Sequence, residues 1–313
     1  MRALSIVSLA LVLLLISLAA YLRLDHSGIG CTPWPECYGN IGTERDAVAL
    51  HERLLEDATS ARSWATPMHR LVATVLGLLV LSLNVLAFRE KRNRSASVAL
   101  LALTLFLAII GVVSGGLHSP AVVMGNILGG FGMLALLGGM VFQKRAPHRN
   151  ASTLTKISAI ALLLLGLQIA IGGLTSANFA AAACRTVPDC HGSWLPGSDL
   201  LKAMDLSRRH AVADNGIVLG GAERADIQML HRLSAVATAL LIIAAGLLAL
   251  RFGHDLRIVG AALILLVSFE FFVGILAIVT DLPIGLAVAH NTLAALLLLG
   301  LLKLYAESRC SEA

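Results

Sequence analysis

Eight stretches of roughly twenty apolar residues divide this 313-residue chain, near 3–22, 67–88, 97–117, 121–142, 154–176, 227–250, 258–280 and 283–304. About 20 residues of helix cross the hydrocarbon core of a bilayer, and backbone amides there must be paired within the chain. Each stretch is therefore expected as a membrane-spanning helix. A barrel strand would be about half as long and would alternate. Composition agrees, with 57% hydrophobic and 14% charged residues against about a quarter charged in soluble domains. Arg2 and the segment ending Ser17-Leu18-Ala19 resemble a signal peptide, but the stretch is long for one and is read as a span. The expected fold class is all-α and integral to the membrane.

Basic residues of the short loops set orientation. Arg89, Lys91, Arg92 and Arg94, then Lys144, Arg145 and Arg149, then Arg251 and Arg257, and finally Lys303 and Arg309 all fall on one side of an eight-span chain. Both termini are thus expected in the cytoplasm, with the long loops 23–66 and 177–226 outside. The net charge of +5 reflects this asymmetry, and no basic stripe or nucleic-acid motif accompanies it. The lipid bilayer, not nucleic acid, is the expected partner.

The sequence also repeats itself. "CTPWPECYGN" at 31–40 matches "CRTVPDCHGS" at 184–193, "MHRLVATVLG" from Met68 matches "LHRLSAVATA" from Leu230, and "SPAVVMGN" from Ser119 matches "LPIGLAVAHN" from Leu282. Spans one to four and five to eight thus read as two pseudo-symmetric four-helix bundles in tandem, 1–150 and 151–313. Each has an even number of spans, so the repeats are parallel.

Ligand-type side chains within membrane spans are candidates for function. His231, at the outer start of the sixth span, and His290, about two turns into the eighth, can face each other across a bundle. Two imidazoles from facing helices suit axial ligation of haem iron; a structural role and another metal remain open at this point. Zinc lacks third and fourth ligands at suitable spacing. Arg232 could neutralise a haem propionate. The first unit offers His69 and Arg70 at the matching helix mouth, but Asn126 where a second histidine is expected. His118 lies about 12 Å of helix rise above Asn126, too far to substitute. His51, His148 and His254 lie in polar loops, and His191 is expected to pack within its own. Glu270, inside the seventh span, stands four residues before Gly274, as Gln168 in the fifth stands four before Gly172. It is either a proton-handling group or a neutral acid hydrogen-bonded like the glutamine it mirrors. The outer cysteine pairs lie on the oxidising side and favour one disulfide-closed cap over each unit, with thiol relay chemistry as the alternative. Cys310 is expected on the cytoplasmic side as a free thiol.

These motifs, with "RLDHSGIGCTPWPECYG" and "SANFAAAACRTVPDCHGSWLP", resemble in order the haem A synthase family across nearly the whole chain. The resemblance implies a b-type haem between His231 and His290. It also implies haem O as substrate in the N-terminal half, oxidised at its C8 methyl to a formyl group through hydroxylation. The cysteine pairs of the family match Cys31/Cys37 and Cys184/Cys190. Haem O synthase and terminal oxidase subunits are the implied partners, and self-association is left open. Two positions depart from the pattern. Thr66 stands where the family has Glu, and Asn126 where it has His; with His69 they make up the family's substrate site. The expected function is conversion of haem O to haem A for cytochrome oxidase biogenesis. The alternative is a paralogue that keeps a haem b and acts as an electron carrier or oxidase assembly factor. A transporter built from parallel repeats is a more distant third.

Overall fold

The computed structural model describes residues 1–26, 64–113, 119–143, 153–208, 211–212, 218–219 and 221–309. Eight of its helices are long and apolar enough to span a membrane. We number them, with one short helix, as α1 (Arg2–His26), α2 (Ala65–Arg89), α3 (Arg94–Val113), α4 (Pro120–Phe142), α5 (Thr153–Ala177), α6 (Leu200–Met204), α7 (Ala222–Ala249), α8 (His254–Val279) and α9 (Ile284–Ser308). Two-residue strands β1 (Ala211–Val212) and β2 (Val218–Leu219) pair between α6 and α7.

Buried positions explain the packing. Along α2 they are Ala65, Val72, Leu76, Val80, Leu83 and Ala87, a single stripe at helical spacing. The opposite face is also apolar, with Leu71, Leu78 and Val85 exposed. Leu163 and Leu265 are more than 70% exposed at their own surfaces. A helix apolar all round and exposed on one side has lipid as its solvent. The chain is a multi-pass membrane protein.

The helix neighbours form two closed rings. In the first, α1 packs on α2, α2 on α3, α3 on α4, and α4 on α1. In the second, α5 packs on α7, α7 on α8, α8 on α9, and α9 on α5. The rings join through α1–α9, α4–α5 and α4–α9. Exchanging α1, α2, α3 and α4 for α5, α7, α8 and α9 leaves this whole set of pairs unchanged, as a two-fold pseudo-symmetry through α4 and α9 requires. Gly138 permits the central approach: a Cβ there would stand 3.1 Å from Leu299 and Leu302. Leu134, Leu137, Leu297 and Leu301 fill the seam, each at most 2% exposed. Ser17 and Thr292 hydroxyls meet across it at 2.8 Å, and Arg23 donates to Asn291 at 3.4 Å.

Local signals set the helix boundaries. Pro120 opens α4, and Pro283 immediately precedes α9, where a missing N–H costs nothing. The tight α2–α3 turn uses left-handed backbone at Lys91 and Asn93 and is tied by Asn84, which donates to the Ser97 carbonyl. Two expectations need adjustment. The seventh helix begins at Ala222, not near 227, because its first turns are anchored by polar contacts. Asp226 accepts from the backbone N–H of Gly197 and Asp199, and Glu223 pairs with Arg208 at 3.0 Å. The loop 177–226 also contains α6 and the β1–β2 hairpin, which no hydropathy pattern marks.

Candidate functional site

His231 on α7 and His290 on α9 come from diagonally opposite helices of the second ring. Their ring centroids are 6.3 Å apart and their planes stand at 82°. Each ring is approached from a neighbouring helix by a polar side chain at the same distance. On α5, the Gln168 side-chain nitrogen faces His231 Nδ1 at 3.1 Å and donates to the His231 carbonyl, while its oxygen accepts from Ser234. On α8, Glu270 Oε1 lies 3.1 Å from His290 Nδ1. One turn beyond each support stands a glycine. A Cβ at Gly172 would come within 3.0 Å of His231 Cε1, and one at Gly274 within 3.3 Å of His290 Cε1. The two glycines let the rings lie against the helix backbones. Sequence reasoning paired Gln168 with Glu270 but missed this cradle; its signal was a glycine one turn after each polar residue.

The end of this ring that carries the histidines is covered by the second cysteine loop. Cys184 and Cys190 sulfurs stand at bonding distance, 1.91 Å, and both residues are buried. Arg232 donates to the carbonyls of Cys184, Thr186 and Asp189 at 2.7 to 2.8 Å. The guanidinium that sequence analysis set beside a propionate is turned into the loop in this structure. Three inward-facing carbonyls of one short loop engage its donors. His191 packs within the same loop, its Nε2 2.9 Å from the Ala183 carbonyl. His254 is exposed at the start of α8.

In the first ring, Thr66 and His69 lie in the first turns of α2, three residues apart and so on one face. Arg70 is exposed beside them. Asn126 lies two turns into α4, half-buried. The helices α2 and α4 form the same diagonal as α7 and α9. The third helix differs as well. Gly111 stands nine residues before Pro120, as Gly274 stands nine before Pro283, and a Cβ at Gly111 would meet none of the described residues within 4 Å. Leu107 occupies the position matching Glu270 and packs on Gly129. Cys31, Cys37, His51, His118, His148 and Cys310 lie outside the described residues.

Among the described residues, no group of three or more His, Cys, Asp or Glu could hold a metal ion. A metal at the histidine pair would therefore need a molecule that brings its own further ligands. Two ring nitrogens about 2 Å from a common iron leave centroids about 6 Å apart, and the observed separation is 6.3 Å. The residues present fit a bis-imidazole haem.

Fold and site thus define a class: eight-span membrane proteins built from two four-helix rings, with a histidine pair across one ring. Within that class, the chain belongs to the COX15-CtaA family, described as cytochrome oxidase assembly protein, which it matches over residues 2–302. It is 33% identical to the haem A synthase of Shewanella oneidensis, over 94% of this chain and 92% of that one. It is 25% identical to the haem A synthase of Neorickettsia sennetsu, over 93% and 94%. The haem A synthase of Rhizorhabdus wittichii matches at 29% over half of this chain and 42% of its own.

Proposed function

We propose that this chain is a haem A synthase-type oxidoreductase, converting haem O to haem A by oxidation of the C8 methyl to a formyl group for cytochrome oxidase biogenesis. The observation that carries the reading is the His231–His290 pair with its matched supports and glycines. Likeness to haem A synthases over most of the chain supports it. Residues 151–313 are the haem b half and 1–150 the haem O half. His231 and His290 bind the b-type iron, which supplies one-electron transfer when present. Gln168 and Glu270 orient the imidazoles, and the Arg232-tethered loop shields them from the outer aqueous phase.

In the substrate half His69 is the imidazole available to haem O, with Arg70 beside it as a cation for a propionate. Thr66 can hydrogen-bond but cannot act as a carboxylate base. An Asn126 amide is a poor iron ligand, so the face of haem O opposite His69 stays open. These two residues favour a second reading, a paralogue that keeps the haem b and serves as an electron carrier or assembly factor. In either reading the protein spans the cell membrane with both termini cytoplasmic, near haem O synthase and terminal oxidase subunits.

The test is expression in a host that makes haem O and lacks its own synthase, followed by pigment extraction. Haem A in the extract is the expected result. Haem O persisting beside a fully loaded b haem would instead establish the paralogue.

A further inference from the structure

The two histidine supports are alike in placement and unlike in charge. Gln168 is neutral, and both ends of its amide are engaged, one by Ser234 and the other by His231. Glu270 is a carboxyl whose side chain is 12% exposed, lying within hydrogen-bond distance of a single group, His290 Nδ1 at 3.1 Å. Its second oxygen, Oε2, is buried with no hydrogen-bond partner, and Nδ1 of His290, though 3.1 Å from Oε1, is likewise buried without an aligned hydrogen bond among the described residues, so the two groups are juxtaposed and have no competing partner. No Lys or Arg of the described residues pairs with Glu270. Among the described residues, the one ionisable side chain it approaches is the His290 imidazole.

Resting on the reading of His231 and His290 as haem ligands, we infer that Glu270 is a positioning residue that makes the two ligands unequal, with His290 the stronger donor and the iron's oxidised state favoured. A carboxylate accepting the Nδ1 hydrogen raises the basicity of the opposite ring nitrogen, the one that binds metal. The same negative charge, in a helix bundle of low dielectric, opposes the arrival of an electron at the iron. The amide of Gln168 does neither: it fixes the ring and adds no charge. Gln168 and Glu270 both stand 3.1 Å from the Nδ1 of their histidines, so the difference lies in the supporting group and not in its reach.

The test is a spectroelectrochemical titration of the full-length, haem-loaded chain and its Glu270→Gln variant, which gives the two histidines like supports. The variant is expected to keep its low-spin b spectrum. At a fixed solution potential its ratio of reduced to oxidised haem should rise about tenfold, equivalent to about 59 mV for a one-electron couple. Gln168→Glu should move the ratio the opposite way, and Glu270→Asp should retain part of the wild-type value. A ratio unchanged in Glu270→Gln, or lowered, overturns the inference. Should that variant fail to retain haem, Gln168→Glu carries the test, and an unchanged ratio there overturns it equally. These readouts do not depend on haem A formation. A low-spin spectrum that survives His290→Ala would instead remove the ligand assignment itself.

Discussion

The two four-helix rings share a plan and differ at its centre. Both have an HRL sequence at the mouth of the second helix and a proline at the entry of the fourth. Both carry a glycine nine residues before that proline. In the second ring the plan is complete: two histidines across the diagonal, a polar support behind each and a glycine beneath each. In the first ring α2 carries His69 and the diagonal α4 carries Asn126, a Cβ at Gly111 would meet none of the described residues within 4 Å, and Leu107 stands where Glu270 would. A repeated fold preserves helix lengths and packing because those are demanded by the bilayer and the seam. The polar centre is demanded only by what it binds, so it is where the copies diverge.

The largest effect is expected from reversing that divergence. Thr66→Glu combined with Asn126→His should raise haem A production severalfold above the unmodified chain in a haem O-producing host, measured by extraction. No change, with the protein present at normal level, would show that these two positions do not limit turnover.

Next in size is the glycine contrast. Gly172→Val and Gly274→Val push branched side chains against imidazoles that already stand 3.0 and 3.3 Å from a single added carbon. Overpacking of this kind costs about 1–3 kcal/mol, so haem content per chain should fall by roughly tenfold. Gly111→Val meets no described residue and should leave haem content unchanged and stability within about 0.5 kcal/mol. Equal effects at Gly111 and Gly274 would erase the difference drawn between the rings.

A smaller effect is expected at the cap. Arg232→Gln removes charge-assisted donors to the Cys184, Thr186 and Asp189 carbonyls, interactions worth about 1.5–3 kcal/mol. The loop should become severalfold more sensitive to added protease while the b spectrum persists. Loss of the spectrum with the loop intact would return Arg232 to a direct role at the haem.

Much of this architecture could be read before any coordinates. The spans follow from run length, since lipid leaves helices as the only open-chain solution. The His231–His290 pairing follows from the repeated helix mouths, and the Glu270–Gln168 likeness from their common spacing to glycine. The direction of Arg232 was not legible, because it depends on where a non-periodic loop turns its carbonyls. Nor was the cradle, since a glycine within an apolar helix has meaning only once the ring facing it is known. The early start of α7 was hidden by polar residues, Glu223 and Asp226, that belong to a buried network and not to a loop.

The central claim is that the resident haem belongs to the second ring alone. Electron paramagnetic resonance of the purified chain from a strain that makes no haem O tests it most directly. His69→Ala should keep one low-spin bis-histidine haem per chain, and His231→Ala or His290→Ala should each abolish it. A signal lost with His69, or retained without His290, would contradict the account.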